Sequence, residues 1–351
     1  MNLDSVVSIS GYGWSGSTAL RDFLREYDSI YHVTDKSSKR FLEYSLLYDP
    51  DGFLDLYNKL VASWNFLHID KALKDHIKYF NRISAEQSKL NPHGLGLDEL
   101  FKVDSRRIHS EFLEELASFK YHLSSRVNNL YDDPLLNFCK RWYSKFSPSH
   151  RKDSYFSSAD DSSFSRALVK FHNELFANVG KDKLLLIEKM IPVNNIELCS
   201  SLLPNIKVLI VDRDPRDTFV EMVKKRTLFF GGNGSITDTE VMQFCRWKEQ
   251  MYRTGVVNEI PYGRDVRLGS MQVLKLDFEE FVLRFSDSQL TIEGFLGLSR
   301  ENHIHRFKCF NSEDSKKNIG KWVEYKNPHH IEIIEKSIPS YFHRPKNFEL
   351  N

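Results

Sequence analysis

The chain has 351 residues, 41% of them hydrophobic and 28% charged, an ordinary globular composition long enough for two domains or for one α/β core with a large insertion. No apolar run approaches the roughly 20 residues of a membrane span. Forty-nine Lys and Arg against 48 Asp and Glu leave a charge of +1, which gives no field for drawing nucleic acid or an anionic membrane, so any anion site must be local.

Cys139, Cys199, Cys245 and Cys309 have no C-x-x-C spacing, so neither a zinc site nor a disulfide framework is expected. The N-terminus lacks a basic n-region and a long apolar h-region, and the chain reads as cytoplasmic and unprocessed.

Candidate strands are the apolar runs Val6 to Ser10, Ile30 to Val33, Leu184 to Glu188, Ile206 to Asp212 and Met271 to Leu276. They are mostly unbroken and separated by helical patterns, which predicts an α/β fold with a buried parallel sheet flanked by helices. After the first strand, Leu20, Phe23, Leu24 and Tyr27 recur at the spacing of a helix packed on a sheet. Residues 49–183 turn helical and aromatic with no convincing strand. They read as an acceptor-shaping insertion into a core of about 1–48 and 184–330, within a single domain of 1–351. Inside the insertion, Ser147 to Ser165 is rich in Ser and Asp and reads as a surface loop.

The first strand runs into Gly11, Gly13 and Gly16 and then a helix, the context in which a glycine loop cradles a phosphate. Amides around Ser15 to Thr18 would face the anion, with the hydroxyls of Ser15, Ser17 and Thr18 as further donors. Gly11 and Gly16 have Walker A spacing, but Ser17 stands where an NTPase needs its lysine, which disfavours a kinase. An ordinary strand-to-helix turn is the alternative.

The fourth candidate strand ends at Asp212 and is followed by Arg213-Asp214-Pro215-Arg216-Asp217. Asp214 can cap the next helix and Pro215 suits its first turn. Arg213 is left at the C-terminal end of a strand, where open α/β sheets bind ligands, with a guanidinium that can fork onto a phosphate. The alternative is a surface ion-pair turn beside a Walker B acid.

These segments resemble the family of sulfotransferases that use 3′-phosphoadenosine 5′-phosphosulfate (PAPS). Gly13-Trp14-Ser15-Gly16-Ser17-Thr18 is similar to the family's 5′-phosphosulfate loop, and the Arg213 turn to its 3′-phosphate site. The resemblance implies a P-loop NTPase-like fold, PAPS as co-substrate, no metal, and a hydroxyl acceptor. Two departures stand out. Trp14 replaces the loop's basic residue, and Glu221 stands where many members place a phosphate-binding serine, eight residues after the arginine. Either Glu221 turns away, or Ser235 or a lysine replaces the missing donor.

A later segment, Ser315 to Tyr325, partly resembles the family's R-[KR]-G-x-x-G-x-W, with Lys316 and Lys317 closing over the 3′-phosphate and Gly320 allowing backbone approach. A lysine-rich surface helix is the equal alternative. Leu274 to Val282 looks like the strand and acidic helix start between these motifs. Glu188-Lys189-Met190-Ile191-Pro192 resembles the E-K-T-P of carbohydrate and bacterial members. It implies that Lys189 supplies the charge Trp14 cannot.

Glu43, Glu188 and His32 are the candidate bases, with Asp35 also in reach. Glu188 and Lys189 can enter one site only if the strand ends between them. Trp64, Phe66, Tyr79, Phe80, Trp142 and Tyr143 suit either a core or stacking on a sugar, and Arg106, Arg107 and Arg126 either a solvated face or an anionic glycan. Trp247 suits adenine or the core, and Phe229 to Glu240 a loop that closes over the donor. The acceptor expected is a saccharide. The competing functions are a noncatalytic nucleotide-binding relic of the same fold and a P-loop kinase.

Overall fold

The computed structural model describes residues 3–33, 43–61, 66–122, 135, 138, 153–232, 234–253 and 256–342. These residues fall into two compact units, one within 45–179 and the other within 3–33, 43–44 and 180–342.

The second unit is built on a six-stranded sheet, in the order β2 (Ile30–His32), β5 (Leu184–Glu188), β1 (Val6–Gly11), β6 (Lys207–Asp212), β8 (Met271–Asp277), β7 (Asp265–Leu268). All neighbours pair in parallel except β7 with β8. This is the mostly parallel sheet flanked by helices that the apolar runs predict. The short edge strand β7 escapes such a reading because Asp265-Val-Arg-Leu alternates exposed and half-buried residues and pairs on one side only. Val7, Ile9, Leu209, Val211 and Leu274 supply the sheet side of one core. Leu20, Phe23 and Leu24 of the helix Ser17–Leu24 pack onto it, all fully buried.

The unit within 45–179 contains the helices Phe53–Val61, Phe66–Ser84, Leu97–Phe101, Ser105–Leu116 and Asp161–Leu175. Its core is unusual in holding His76, His109 and His172 among Phe53, Phe80, Phe112 and Phe171. The His109 ring stacks on Phe80 at 3.8 Å. Burial pushes His76 and His172 down to about 4 despite a backbone carbonyl at each Nδ1, and it also lowers His109.

Two expectations fail in this unit. It carries an antiparallel hairpin, β3 (Phe119–His122) with β4 (Asp153–Phe156), whose short, mixed-polarity strands lie too far apart in sequence to announce each other. The Ser- and Asp-rich stretch is also not a plain loop where it is described. Asp153–Phe156 is strand, and Asp160 with Ser163 forms a capping box for the helix Asp161–Leu175, so the polar residues are capping chemistry. Residues 157–159 form no regular element, and 147–152 lie outside the described residues.

Candidate active site

Three adjacent strands, β5, β1 and β6, end at the same edge of the sheet, which brings together the segments that leave them. After β1 the chain turns through Gly13 at φ 73°, Trp14 at φ 50° and Gly16 at φ 87°. Two of the glycines are required. A Cβ at Gly16 would sit 2.3 Å from the Phe278 ring, and one at Gly11 would strike Ser15 Oγ at 2.2 Å. Gly16 caps Ser17–Leu24 without a side chain to satisfy its first amides, which leaves donors and the positive helix end for an anion.

The cavity at this edge has a volume of about 720 Å³. Gly13, Trp14, Gly16, Ser17 and Thr18 line it, as do Glu43, Glu188, Lys189, Arg213, Glu221 and Lys225. Ser15 is not among the lining residues. Its hydroxyl is buried under the loop against Gly11 with no hydrogen-bond partner. Trp14 bends back onto an apolar cluster around Phe219 and Phe244, while its carbonyl accepts from Arg213 Nη1 at 3.4 Å.

Strand β5 stops at Glu188, and Lys189 takes a left-handed φ of 56°, which meets the condition for both side chains to reach one site. The strained residue is over-determined by β1: Lys189 N donates to Ile9 O at 2.7 Å, Ile191 N to Ser8 Oγ at 3.1 Å and Ser10 Oγ to Ile191 O at 2.5 Å. Lys189 Nζ then meets Glu43 Oε1 at 2.5 Å.

Glu188 is buried beside Arg21 at 3.0 Å and His32 at 3.5 Å. Burial alone would raise its carboxyl, but His32 and Arg21 outweigh it and hold the pKa below the usual carboxylate range. Glu43 keeps 56% of its side chain exposed. Asp35 lies outside the described residues.

After β6, Asp212 is occupied by the Tyr252 and Tyr262 hydroxyls at 3.2 and 2.9 Å. Asp214 caps the helix Pro215–Lys225 by accepting from Arg216 N at 2.8 Å, with Pro215 in its first turn. Arg213 is buried across the Phe278 ring, 5.1 Å from its centre, and its Nη2 donates to Asn318 O. Its Nε has no partner, an orphaned buried donor of the kind an anion site provides. The rest of the turn works on the late segment. Arg216 stacks at 3.7 Å on Trp322, and Asp217 accepts from Gly320 N and Trp322 N at 2.8 and 3.2 Å. Burial pushes the Asp217 carboxyl up despite the Arg213 charge.

Gly320 therefore spends its amide inside the protein. Lys316 and Lys317 bond to Glu313 and Asp314 of their own short helix and do not line the cavity, although Ser315 and Asn318 do. Ser235 is exposed and off the cavity wall. Trp247 packs with Phe229 and Phe244 and lies beside Gly13 of the loop, and Phe230 packs on Phe219. Phe80 is likewise core, and Tyr79 bonds Asp49. Trp64, Arg126, Trp142 and Tyr143 lie outside the described residues.

The cavity wall carries five carboxylates: Asp22, Glu43, Glu188, Glu221 and Asp314. Each has a basic partner. Asp22 pairs with Arg21 and Arg25, Glu43 with Lys189, Glu188 with Arg21, Glu221 with Lys225 and Lys321, and Asp314 with Lys317. The cations on the wall itself are Lys189, Arg213, Lys225 and Lys308, so an anion would be met locally, by Arg213 and the start of the helix Ser17–Leu24, and not by an overall positive field. Among the described residues no group of three or more His, Cys, Asp or Glu side chains is placed to hold a metal ion, and no helix is long and apolar enough to cross a membrane.

Sequence reasoning missed Phe278, Asp217, Lys225 and Lys321. The signal for Phe278 is its place after the last sheet strand, opposite the glycine loop. Lys321 gave none beyond its neighbours.

A family model described as the sulfotransferase family matches residues 7–302. A comparison with curated proteins found no match. Among solved structures, the chain is similar to the sulfotransferase domain of an olefin synthase from Synechococcus PCC 7002, with 12% identity, 94% and 93% of the two chains covered and a TM-score of 0.42. It is also similar to a sulfotransferase from Mycobacterium avium, with 12% identity, 97% and 77% covered and a TM-score of 0.40.

Proposed function

Because the chain belongs to the sulfotransferase family, we propose that it moves a sulfuryl group from PAPS to a hydroxyl acceptor, which we take to be a saccharide. The observation that carries this reading is that Gly13, Trp14 and Gly16 to Thr18, Lys189 and Arg213, far apart in sequence, line one cavity at the ends of three adjacent strands. The glycine loop and helix start hold the 5′-phosphosulfate and Arg213 meets the 3′-phosphate, its unpartnered Nε being the donor in waiting.

In this reading Lys189 stabilises the charge that builds on the bridging oxygen as the new S–O bond forms and the old one breaks. Glu43 takes the acceptor's proton, since it reaches the cavity through a largely exposed side chain. Glu188 is less suited, being buried and made less basic by His32 and Arg21, and His32 faces Glu188. The saccharide preference rests on the resemblance of Glu188 to Pro192 to carbohydrate enzymes.

The test is calorimetry with adenosine 3′,5′-bisphosphate and adenosine 5′-phosphate on the wild-type protein and Arg213→Ala, followed by transfer of labelled sulfate from PAPS to a glycan panel. A preference for the bisphosphate that is lost in Arg213→Ala supports the reading; equal affinity in the wild-type protein refutes it. Bisphosphate binding without transfer would favour the noncatalytic relic, toward which the absence of a basic side chain at Trp14 points. ATP binding with magnesium and indifference to PAPS would favour the kinase.

A further inference from the structure

Lys248 is a fully buried lysine that the reading above does not use. It stands on the helix Asp238–Arg253, and its Nζ donates to Tyr12 O at 3.4 Å, at the point where the chain leaves β1 for the glycine loop. A charged side chain is costly to take out of water, so its position asks for a reason beyond packing. The same helix turns Trp247 toward Gly13, where a Cβ would lie 3.5 Å from the indole, and Tyr252 against Tyr12, with ring centres 5.0 Å apart. The ammonium lies 5.4 and 5.7 Å from the centres of the Trp247 and Tyr252 rings.

A loop that binds an anion has to aim N–H groups at it and keep its carbonyl oxygens, which carry partial negative charge, away. Tyr12 and Gly13 share a trans peptide, in which the Tyr12 C=O and the Gly13 N–H point in opposite directions across one plane. Lys248 takes the carbonyl side, which leaves the Gly13 N–H on the other, and Gly13 lines the cavity. Two residues on, Arg213 takes Trp14 O in the same way. Gly13 and Trp14 both have left-handed φ, 73° and 50°, a pair of turns that persists where neighbours over-determine it. Two cations from two different elements thus hold the carbonyls that the loop turns away.

We propose that Lys248 is a positioning residue for the 5′-phosphate cradle: its ammonium fixes the Tyr12–Gly13 peptide with the amide toward the cavity and, by polarising that peptide, makes the amide a stronger donor. It does not line the cavity and acts through the backbone. The proposal rests on the donor reading above, which it deepens by naming what sets the shape of the cradle from behind.

The experiment measures the affinities of adenosine 5′-phosphate and adenosine 3′-phosphate by calorimetry on the full chain, in the wild-type protein, Lys248→Met and Lys248→Gln. Lys248→Met keeps an unbranched stem and removes the ammonium, and it should weaken adenosine 5′-phosphate about tenfold, as expected for the loss of a charge-assisted bond. Affinity for adenosine 3′-phosphate, which Arg213 holds in this reading, should stay within about twofold, which also reports that the variant folds. Lys248→Gln keeps an amide donor on a shorter side chain and should fall between the two.

A lysine that merely filled the core would weaken both nucleotides alike. Equal loss of both in the two variants, or no loss in either variant, overturns this proposal alone. A wild-type protein that does not bind adenosine 5′-phosphate overturns the donor reading and this proposal with it.

Discussion

Lys189 offers the sharpest test because it couples backbone strain to chemistry. Its φ of 56° puts a Cβ where L-residues pay about 1–2 kcal/mol, and three bonds to β1 hold it there. Lys189→Ala keeps the strain and removes the ammonium, so stability should change little, while the barrier to sulfuryl transfer rises by about 3–4 kcal/mol, or ~10² to 10³ in kcat. Lys189→Gly removes both. It should be equally inactive yet more stable than Lys189→Ala by about 0.5–1 kcal/mol, the relieved strain less the extra backbone entropy of glycine. The assays are labelled-sulfate transfer and denaturant unfolding on the three proteins. A glycine variant that is less stable than the alanine one would refute the strain argument, and an alanine variant with wild-type kcat would refute the catalytic one.

Other consequences can be checked independently. Gly16→Ala should abolish nucleotide binding and cost roughly 2 kcal/mol or more, because its Cβ meets the Phe278 ring and its φ is 87°; bisphosphate titration and a melting curve report both, and normal binding would show that the loop can shift. Asp217→Ala should cost about 2–4 kcal/mol by leaving the Gly320 and Trp322 amides unpaired; urea unfolding at neutral pH measures it, and a loss under about 0.5 kcal/mol would refute the clamp. The histidine core makes the unit within 45–179 acid-sensitive. His76 and His172 have folded pKa values near 4, below the unfolded value of 6.5, so the unfolded chain takes up protons first. Their stabilising neutrality is complete above about pH 6.5 and is lost as pH falls toward 4, on the order of 3 kcal/mol each. Melting curves across this window should shift downward with acid, less so in His76→Leu; a flat profile would contradict the burial argument.

The five parallel strands, the first helix with its glycine loop and the Asp214-Pro215 helix start were legible because each is written in contiguous residues. Apolar runs, an i, i+3, i+4 stripe and a cap followed by proline are local signals. The hairpin of β3 and β4 was not, since its strands are short and their pairing depends on a partner more than thirty residues away. In the site, motif residues such as Arg213 and Lys189 could be named from the chain, but their working state could not. Only the fold decides that Lys189 meets Glu43, that Glu188 is locked by Arg21, and that Lys316 and Lys317 turn to their own helix while Lys321 reaches Glu221. Charges act through space, so which carboxylate neutralises which ammonium is set by where strands end and turns are clamped. The residue types at Trp14 and Glu221 were plain in the sequence; that one packs against an apolar cluster at the cavity wall and the other carries two lysines belongs to the tertiary structure.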